Sequence, residues 1–297
     1  LTAPLWIDGT GPLVAGVERW RTAGDVALDT EFVFERTFRP GLGLIQVAAG
    51  GEIALIDPVG IADLSPLAAL FRDAGGLSGP NARVTRKILH SGSGDLPILR
   101  RATGAVPRPL FDTQIAAAFA GLGPSLSYAA LIRELFSIEL PKHETRTDWL
   151  RRPLSPAQLR YAAEDVEHLG AAAAELERRL LDLGRLEWAL EDSAELAELD
   201  ADASDPDEAW RRVKGLDRLA PRGRAVARAL AAWREREAER LDLARPFLLR
   251  DETLLALARS AGDDAPEIAK LPGYEARRHA GHTAQWLEAL AAARAAA

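Results

Sequence analysis

Three short apolar runs stand close behind one another near the start of the chain: VALDTEF at 26–32, LGLIQVAA at 42–49 and EIALIDP at 52–58, with Pro40-Gly41 and Gly50-Gly51 between them. Runs of this length divided by turn formers suit strands and are too short for ordinary helices. The first sixty residues therefore read as strands, with a three-stranded antiparallel meander at their centre. Beyond them the pattern alternates. SPLAALFRD (65–73) opens with a serine and proline suited to a helix start, and RKILH (86–90) reads as a strand. SGSG (91–94) then leads into a helix carrying Asp95, Leu96, Ile98 and Leu99. Further helices are expected from Asp112-Thr113, from Ser127, and from Ser155, where Ser-Pro-Ala-Gln has the form of a capping box and the helix should run to about Leu183. Strands first and alternation afterwards predict an α/β domain with a mixed sheet over residues 1–190.

The stretch EDSAELAELDADASDPDE (191–208) is acidic and loses its apolar periodicity after Leu199, so 191–206 is expected to be a linker. Residues 207–297 then offer helical segments broken by glycine and proline, a small all-helical bundle. This tail carries 17 basic against 14 acidic side chains, a balance of +3, leaving −10 of the overall −7 to the rest of the chain. A basic tail behind an acidic body hints at a polyanionic partner. With no cysteine and five scattered histidines, any metal must be held by carboxylate, imidazole or carbonyl groups. No window is apolar over the ~18 residues a membrane span needs, and LTAPLWIDGT lacks the form of a signal peptide. A cytoplasmic protein without a membrane partner is expected, and a monomer is the default.

Asp29 and Glu31 interrupt an otherwise apolar strand. They share one of its faces, while Leu28, Thr30 and Phe32 take the other, and their Cα atoms should lie about 6–7 Å apart. Two like charges so close are costly unless a cation compensates them. Tyr161 and Asp165, four apart in RYAAEDVEHL, emerge from one helical face. Asp95 sits near a helix start after a glycine-broken loop. Each acid alone has a plain structural reading, as a strand end, a helix surface or a cap. Together they offer four carboxylates from three separated elements, which is what hydrolysis of a phosphodiester with two divalent cations requires. A phenol or imidazole nearby can orient the attacking water, and Tyr161 is the candidate.

The strings ALDTEF, LGLIQV, ALIDP, LHSGSGDL, FDTQIAAAF and RTDWLRRPLSPAQLRYAAEDV, in this order, closely resemble the ribonuclease D family, a branch of the DEDD 3′–5′ exonuclease superfamily with a ribonuclease H-like fold. The resemblance covers roughly residues 1–190. It implies that Asp29, Glu31, Asp95 and Asp165 bind two Mg²⁺ or Mn²⁺ ions. Asp29 would bridge both, Glu31 and Asp165 would complete one site, and Asp95 would reach the other. A tyrosine four before the last acid marks the tyrosine subclass, and Arg160 stands where the histidine subclass has its histidine. The implied activity is release of 5′-mononucleotides from RNA with a free 3′ end, as in trimming of tRNA precursors and other small RNAs. The tail, with AWRRVKGLDRL and IAKLPG, resembles an HRDC domain; family members can carry two, and this chain has room for one. A DNA exonuclease and a catalytically inert nucleic-acid-binding scaffold are the competing readings.

Other residues have plainer roles. Asp112, in FDTQ, suits helix capping or support of the acids. His90 suits a satisfied strand end, His143 and His168 solvent, and His279 and His282 lie in the tail. Asp57-Pro58 reads as a strand-ending turn. Phe32 and Trp149 suit the core, with stacking on a terminal base as the alternative. Arg146, Arg151, Arg152 and Arg160 form a local basic cluster able to track phosphates, and Arg222, Arg224 and Arg228 form the tail's best nucleic-acid face.

Overall fold

Alternation along the strand carrying the first two acids sends Val26 and Leu28 to one side and Ala27, Asp29 and Glu31 to the other. The computed structural model is layered around that division. It describes residues 3–34, 36–72, 85–141, 147–199, 205–260 and 265–295. The chain forms two units, residues 1–33 with 42–201, and residues 34–41 with 202–297.

The first unit holds a six-stranded sheet of β1 (Leu5–Ile7), β2 (Asp25–Val33), β3 (Gly41–Ala49), β4 (Glu52–Ile56), β5 (Arg86–Leu89) and β6 (Leu110–Asp112), in the order β1-β4-β3-β2-β5-β6. It is mixed: β3 and β4 are antiparallel, while β1 runs parallel to β4, and β5 parallel to both β2 and β6. Gly50 and Gly51, at φ +58° and +82°, make the β3–β4 turn, a conformation that a Cβ would strain. On one face Val26, Leu28, Ile45 and Val47 pack with α1 (Thr10–Trp20), α2 (Leu67–Phe71) and α3 (Asp95–Thr103). On the other, Ala27, Ile88 and Phe111 pack with α4 (Thr113–Phe119), α5 (Tyr128–Phe136), α7 (Leu169–Asp182) and α8 (Leu186–Glu198), and α6 (Pro156–Glu167) covers Leu44 and Leu55 through Ala162.

The structure departs from the sequence reading in several places, the short strand β6 before Asp112's helix among them. The first sixty residues hold β1 and α1 besides the meander. Gly9 is an extended N-cap and Pro12 falls in the first helical turn, where its missing N–H costs nothing. Leu13, Gly16, Val17 and Trp20 form the buried stripe. Secondly, the helix expected from Ser155 to about Leu183 divides at His168. The capping box of Ser155 and Gln158 forms, but the Tyr128 hydroxyl enters the ladder further on. It donates to the Glu164 carbonyl at 3.2 Å and accepts from the His168 N–H at 3.3 Å, standing in for the backbone bond between those two groups. Thirdly, residues 191–198, read as the start of the linker, are the last turns of α8. Ser193 and Ala197 are buried; Ser193 Oγ accepts from the Asp112 N–H at 3.1 Å, and Arg108 holds the Ala197 carbonyl at 2.9 Å. The acids of this stretch occupy the helix's outer face, which hid its amphipathic pattern.

Gly43 permits a close crossing. A Cβ there would lie 2.6 Å from Trp149 Cβ and 2.7 Å from its carbonyl oxygen. Gly43→Ala is expected to lower stability by about 2 kcal/mol, read by urea unfolding; an unchanged midpoint would mean that the crossing relaxes freely.

The second unit is helical: a 3₁₀ turn (Pro206–Arg212), α9 (Pro221–Leu241), α10 (Arg245–Leu248), α11 (Asp251–Arg259), α12 (Ala265–Ile268), α13 (Ala276–His279) and α14 (Thr283–Ala295). Val226, Leu230, Leu254, Leu257 and Trp286 form its core. Among the described residues, no helix is long and apolar enough to cross a membrane.

Candidate active site

The last residues of β2 paired with β5 are Ala27 with Ile88, so Asp29 and Glu31 lie just beyond, at the carboxyl end of the parallel strands. Side chains gather for ligands at that end of such sheets, because the loops diverge there. Helix α6 buries Ala162 and Val166 and turns Tyr161 and Asp165 to a less buried side. One carboxylate oxygen each from Asp29, Glu31 and Asp165 lies within 4.8 Å of the others, and all three residues remain partly exposed.

Asp95, at the start of α3, is not part of that close trio. Its buried carboxylate accepts a hydrogen bond from the Thr30 hydroxyl, which comes from the opposite face of β2. Its charge still acts on the others. Burial, then the charges of Asp95, Asp165 and Glu31, hold the Asp29 carboxyl well above the usual range. Burial, then Asp165 and Asp95, push Glu31 up to about 8. Burial raises Asp165 to about 7 against a hydrogen bond from Tyr161, and Asp95 to about 6 against the one from Thr30. A cluster of oxygen donors that resists carrying its full charge suits a hard divalent cation, which supplies the missing compensation.

The Tyr161 hydroxyl lies beside the Asp165 carboxylate and holds its rise in check. Burial, then the charges of Asp165, Glu31 and Asp29, push the phenol upward, so it stays protonated at neutral pH. It can orient a water and cannot serve as a base.

Asp112 is fully buried and caps α4 by accepting from the Gln114 and Ile115 N–H groups at 2.8 and 3.2 Å. It also accepts from Ser91 and Gly92 at 3.2 and 2.8 Å, which ties down the loop leading to Asp95. His90 lies 2.9 Å from both Thr113 Oγ1 and the Leu126 carbonyl. A carbonyl only accepts, so Nε2 carries a hydrogen, and burial lowers the ring's pKa; the Thr113 hydroxyl beside Nδ1 also lies 3.1 Å from the Leu89 carbonyl. Both nitrogens are thus engaged within the protein.

The basic cluster expected of Arg146, Arg151, Arg152 and Arg160 is reduced. Arg152 is committed to the interior: it binds Asp57 at 3.0 and 2.6 Å, the Gly43 carbonyl at 2.6 Å and the Trp149 carbonyl at 2.8 Å. Burial opposes ionisation of Asp57, yet the Arg152 hydrogen bonds and charge keep its carboxyl below the usual range. Arg151 and Arg160 are exposed, whereas Arg146 and His143 lie outside the described residues. Trp149 is 2% exposed and cannot present a face to a base, while Phe32 is partly exposed. In the helical unit, Arg222, Arg224 and Arg228 are exposed on α9, the last with its guanidinium 4.2 Å from the Trp210 ring.

Two contributors went unseen in the sequence. Thr30 anchors Asp95, and its only signal was its place between the two acids. Tyr128 breaks the α6–α7 ladder beside Asp165, and nothing local announces that contact.

A family profile described as 3′–5′ exonuclease matches residues 6–181, and an HRDC domain profile matches residues 223–290. The chain is 44% identical over 273 residues to a protein named ribonuclease D from Pseudomonas paraeruginosa, covering 91% of this chain and 70% of that one. It superposes on the crystal structure of Escherichia coli RNase D, described as an exoribonuclease involved in structured RNA processing. That match has a TM-score of 0.85 and 38% identity, and covers 98% of this chain and 75% of that one. A more distant match is Brucella melitensis NrnC with bound Mg²⁺, with a TM-score of 0.54 and 28% identity over 66% of this chain and 90% of that one.

Proposed function

The chain belongs to the ribonuclease D family of 3′–5′ exoribonucleases, and on that premise we propose that Asp29, Glu31, Asp95 and Asp165 hold two divalent cations at the last phosphodiester of an RNA 3′ end, releasing 5′-mononucleotides. The observation that carries this reading is the approach of the Asp29, Glu31 and Asp165 carboxylates to within 4.8 Å of one another beside the Tyr161 hydroxyl. Bound there, the cations supply an acidified water and charge compensation for the phosphoryl and leaving oxygens.

The protein's own groups do the rest. Asp29, whose carboxyl is raised by burial and by the charges of the other three acids, would be a ligand of the cations. Glu31 and Asp165 would hold a cation with it, and Asp95, held back by Thr30, would contribute from further off. Tyr161, kept protonated, fixes the direction of the attacking water. Mg²⁺ is favoured by its presence in the NrnC structure, and Mn²⁺ suits the same oxygen donors. The substrates are tRNA precursors and other small RNAs, processed in the cytoplasm by a monomer.

The test is a 5′-labelled single-stranded RNA, alongside a matched DNA, incubated with Mg²⁺, Mn²⁺ or chelator. A ladder shortening from the 3′ end is expected with RNA and either cation, and none with chelator. Asp165→Asn should abolish it, and Tyr161→Phe should lower kcat by roughly 10–100-fold with KM little changed. Shortening that survives chelator or Asp165→Asn would refute the assignment.

A further inference from the structure

Residues 147–155 form a strap between the sheet and the start of α6, tied at several points. Gln158, inside the capping box of α6, donates to Thr147 Oγ1 at 3.1 Å. Arg152 ties the Trp149 carbonyl to the Gly43 carbonyl and to Asp57, just past the end of β4, and Asp57 is itself fixed by the Val59 and Gly60 N–H groups at 3.0 and 3.3 Å. The absence of a side chain at Gly43 lets the strap lie directly on β3. The product of these ties is the placement of one ring. The Trp149 indole is buried with Leu44, Leu55, Leu154 and Ala162, and its centroid lies 6.2 Å from that of Tyr161 at an interplanar angle of 38°. Its Nε1 has no hydrogen-bond partner among the described residues, so packing alone positions it.

We propose that Trp149 is a positioning residue for Tyr161: the strap, clamped by Arg152 to Asp57 and Gly43, lays the indole against the phenol ring and fixes where its hydroxyl points beside the acid cluster. The catalytic consequence rests on the role given above to Tyr161; the contact itself does not. An aromatic neighbour at this separation restricts the ring, and a hydroxyl at the end of a phenol swings through more than an ångström on a modest side-chain rotation. A displacement of that size at a water-orienting group costs up to about 10²-fold in rate. Arg152 and Asp57 thereby support a catalytic geometry rather than grip phosphate.

The chain has three tyrosines, Tyr128, Tyr161 and Tyr274, so protein labelled with 3-fluorotyrosine gives three ¹⁹F resonances. The Tyr161 signal is assigned by its loss in Tyr161→Phe. Trp149→Leu is expected to shift and broaden that signal while the Tyr128 and Tyr274 signals, one in each unit, stay sharp and dispersed, which also shows that both units remain folded. In kinetics, Trp149→Leu should lower kcat about 10-fold with KM within about twofold, and Trp149→Phe, which keeps a ring and loses no hydrogen bond, should recover most of it. In a Tyr161→Phe background, Trp149→Leu should cost nothing further. An unmoved Tyr161 resonance, or a full additional loss in the Tyr161→Phe background, would overturn the proposal. Tyr161→Phe with undiminished kcat would instead refute the role of the phenol, while the ¹⁹F shift still decides whether Trp149 holds the ring.

Discussion

Asp29→Asn is expected to lower kcat/KM on a labelled single-stranded RNA by on the order of 10⁴-fold while leaving the protein folded. The substitution keeps size and shape and removes one charge from the point where three carboxylates approach within 4.8 Å. Under the proposed assignment Asp29 is the ligand no neighbour can replace. Asp95 is engaged by Thr30, and Asp165 by Tyr161. The expected stability effect has the opposite sign from that of an ordinary buried mutation. The Asp29 carboxyl is held well above its usual pKa, mainly by burial and then by its acidic neighbours, so at neutral pH it is a liability to the metal-free fold. An amide relieves that repulsion, and circular-dichroism melts in chelator should show Asp29→Asn melting no lower than the parent. Activity within tenfold of the parent would place the chemistry elsewhere; lost activity with a collapsed melt would make Asp29 a fold residue instead.

The parts of this arrangement that follow local rules were legible in the sequence. The alternating strand fixed the shared face of Asp29 and Glu31, the four-residue helical step paired Tyr161 with Asp165, and Ser155 and Gln158 formed the capping box their spacing announces. The misses are long-range. The Tyr128 hydroxyl replaces a backbone bond between Glu164 and His168, residues 36 and 40 positions away, so periodicity alone ran one helix through the break. Helix α1 was hidden because glycine and proline in a first turn look the same in sequence as a loop. Arg152 shows a subtler limit. An arginine among arginines reads as a surface cluster, and only its partners Asp57 and Gly43, about a hundred residues away, show that it faces inward. Trp149 was assigned to the core correctly, but its contact with Tyr161 depends on the route of the strap, which no spacing encodes.

The metal-free protein is expected to lose stability as pH rises from about 5 to 8.5, and divalent cation should cancel the loss. Glu31, Asp165 and Asp95 titrate near 8, 7 and 6 in the folded protein, against roughly 4 in an unfolded chain. A carboxyl whose pKa is raised by folding binds its proton more tightly in the native state. Its stabilising contribution is complete below the unfolded value and fades as pH rises through the folded one. The window is therefore about pH 4 to 8, with little further change above. Glu31 alone would span several kcal/mol by linkage, but Glu31 and Asp165 are partly exposed and the groups share their titration, so a cluster effect of about 3 kcal/mol is the scale. For a unit of this size that is a fall of roughly 6–12 °C in Tm. Scanning calorimetry of the chelated protein across this range should show the fall, and Glu31→Gln should flatten it, isolating the cluster from other titrating groups. Mg²⁺ binds the deprotonated carboxylates, so its addition should displace protons, detected as a buffer-dependent heat, and should raise Tm most at the alkaline end. A chelated Tm that is flat with pH, or a Mg²⁺ effect larger at pH 5 than at pH 8.5, would mean that these acids are not the cation's ligands.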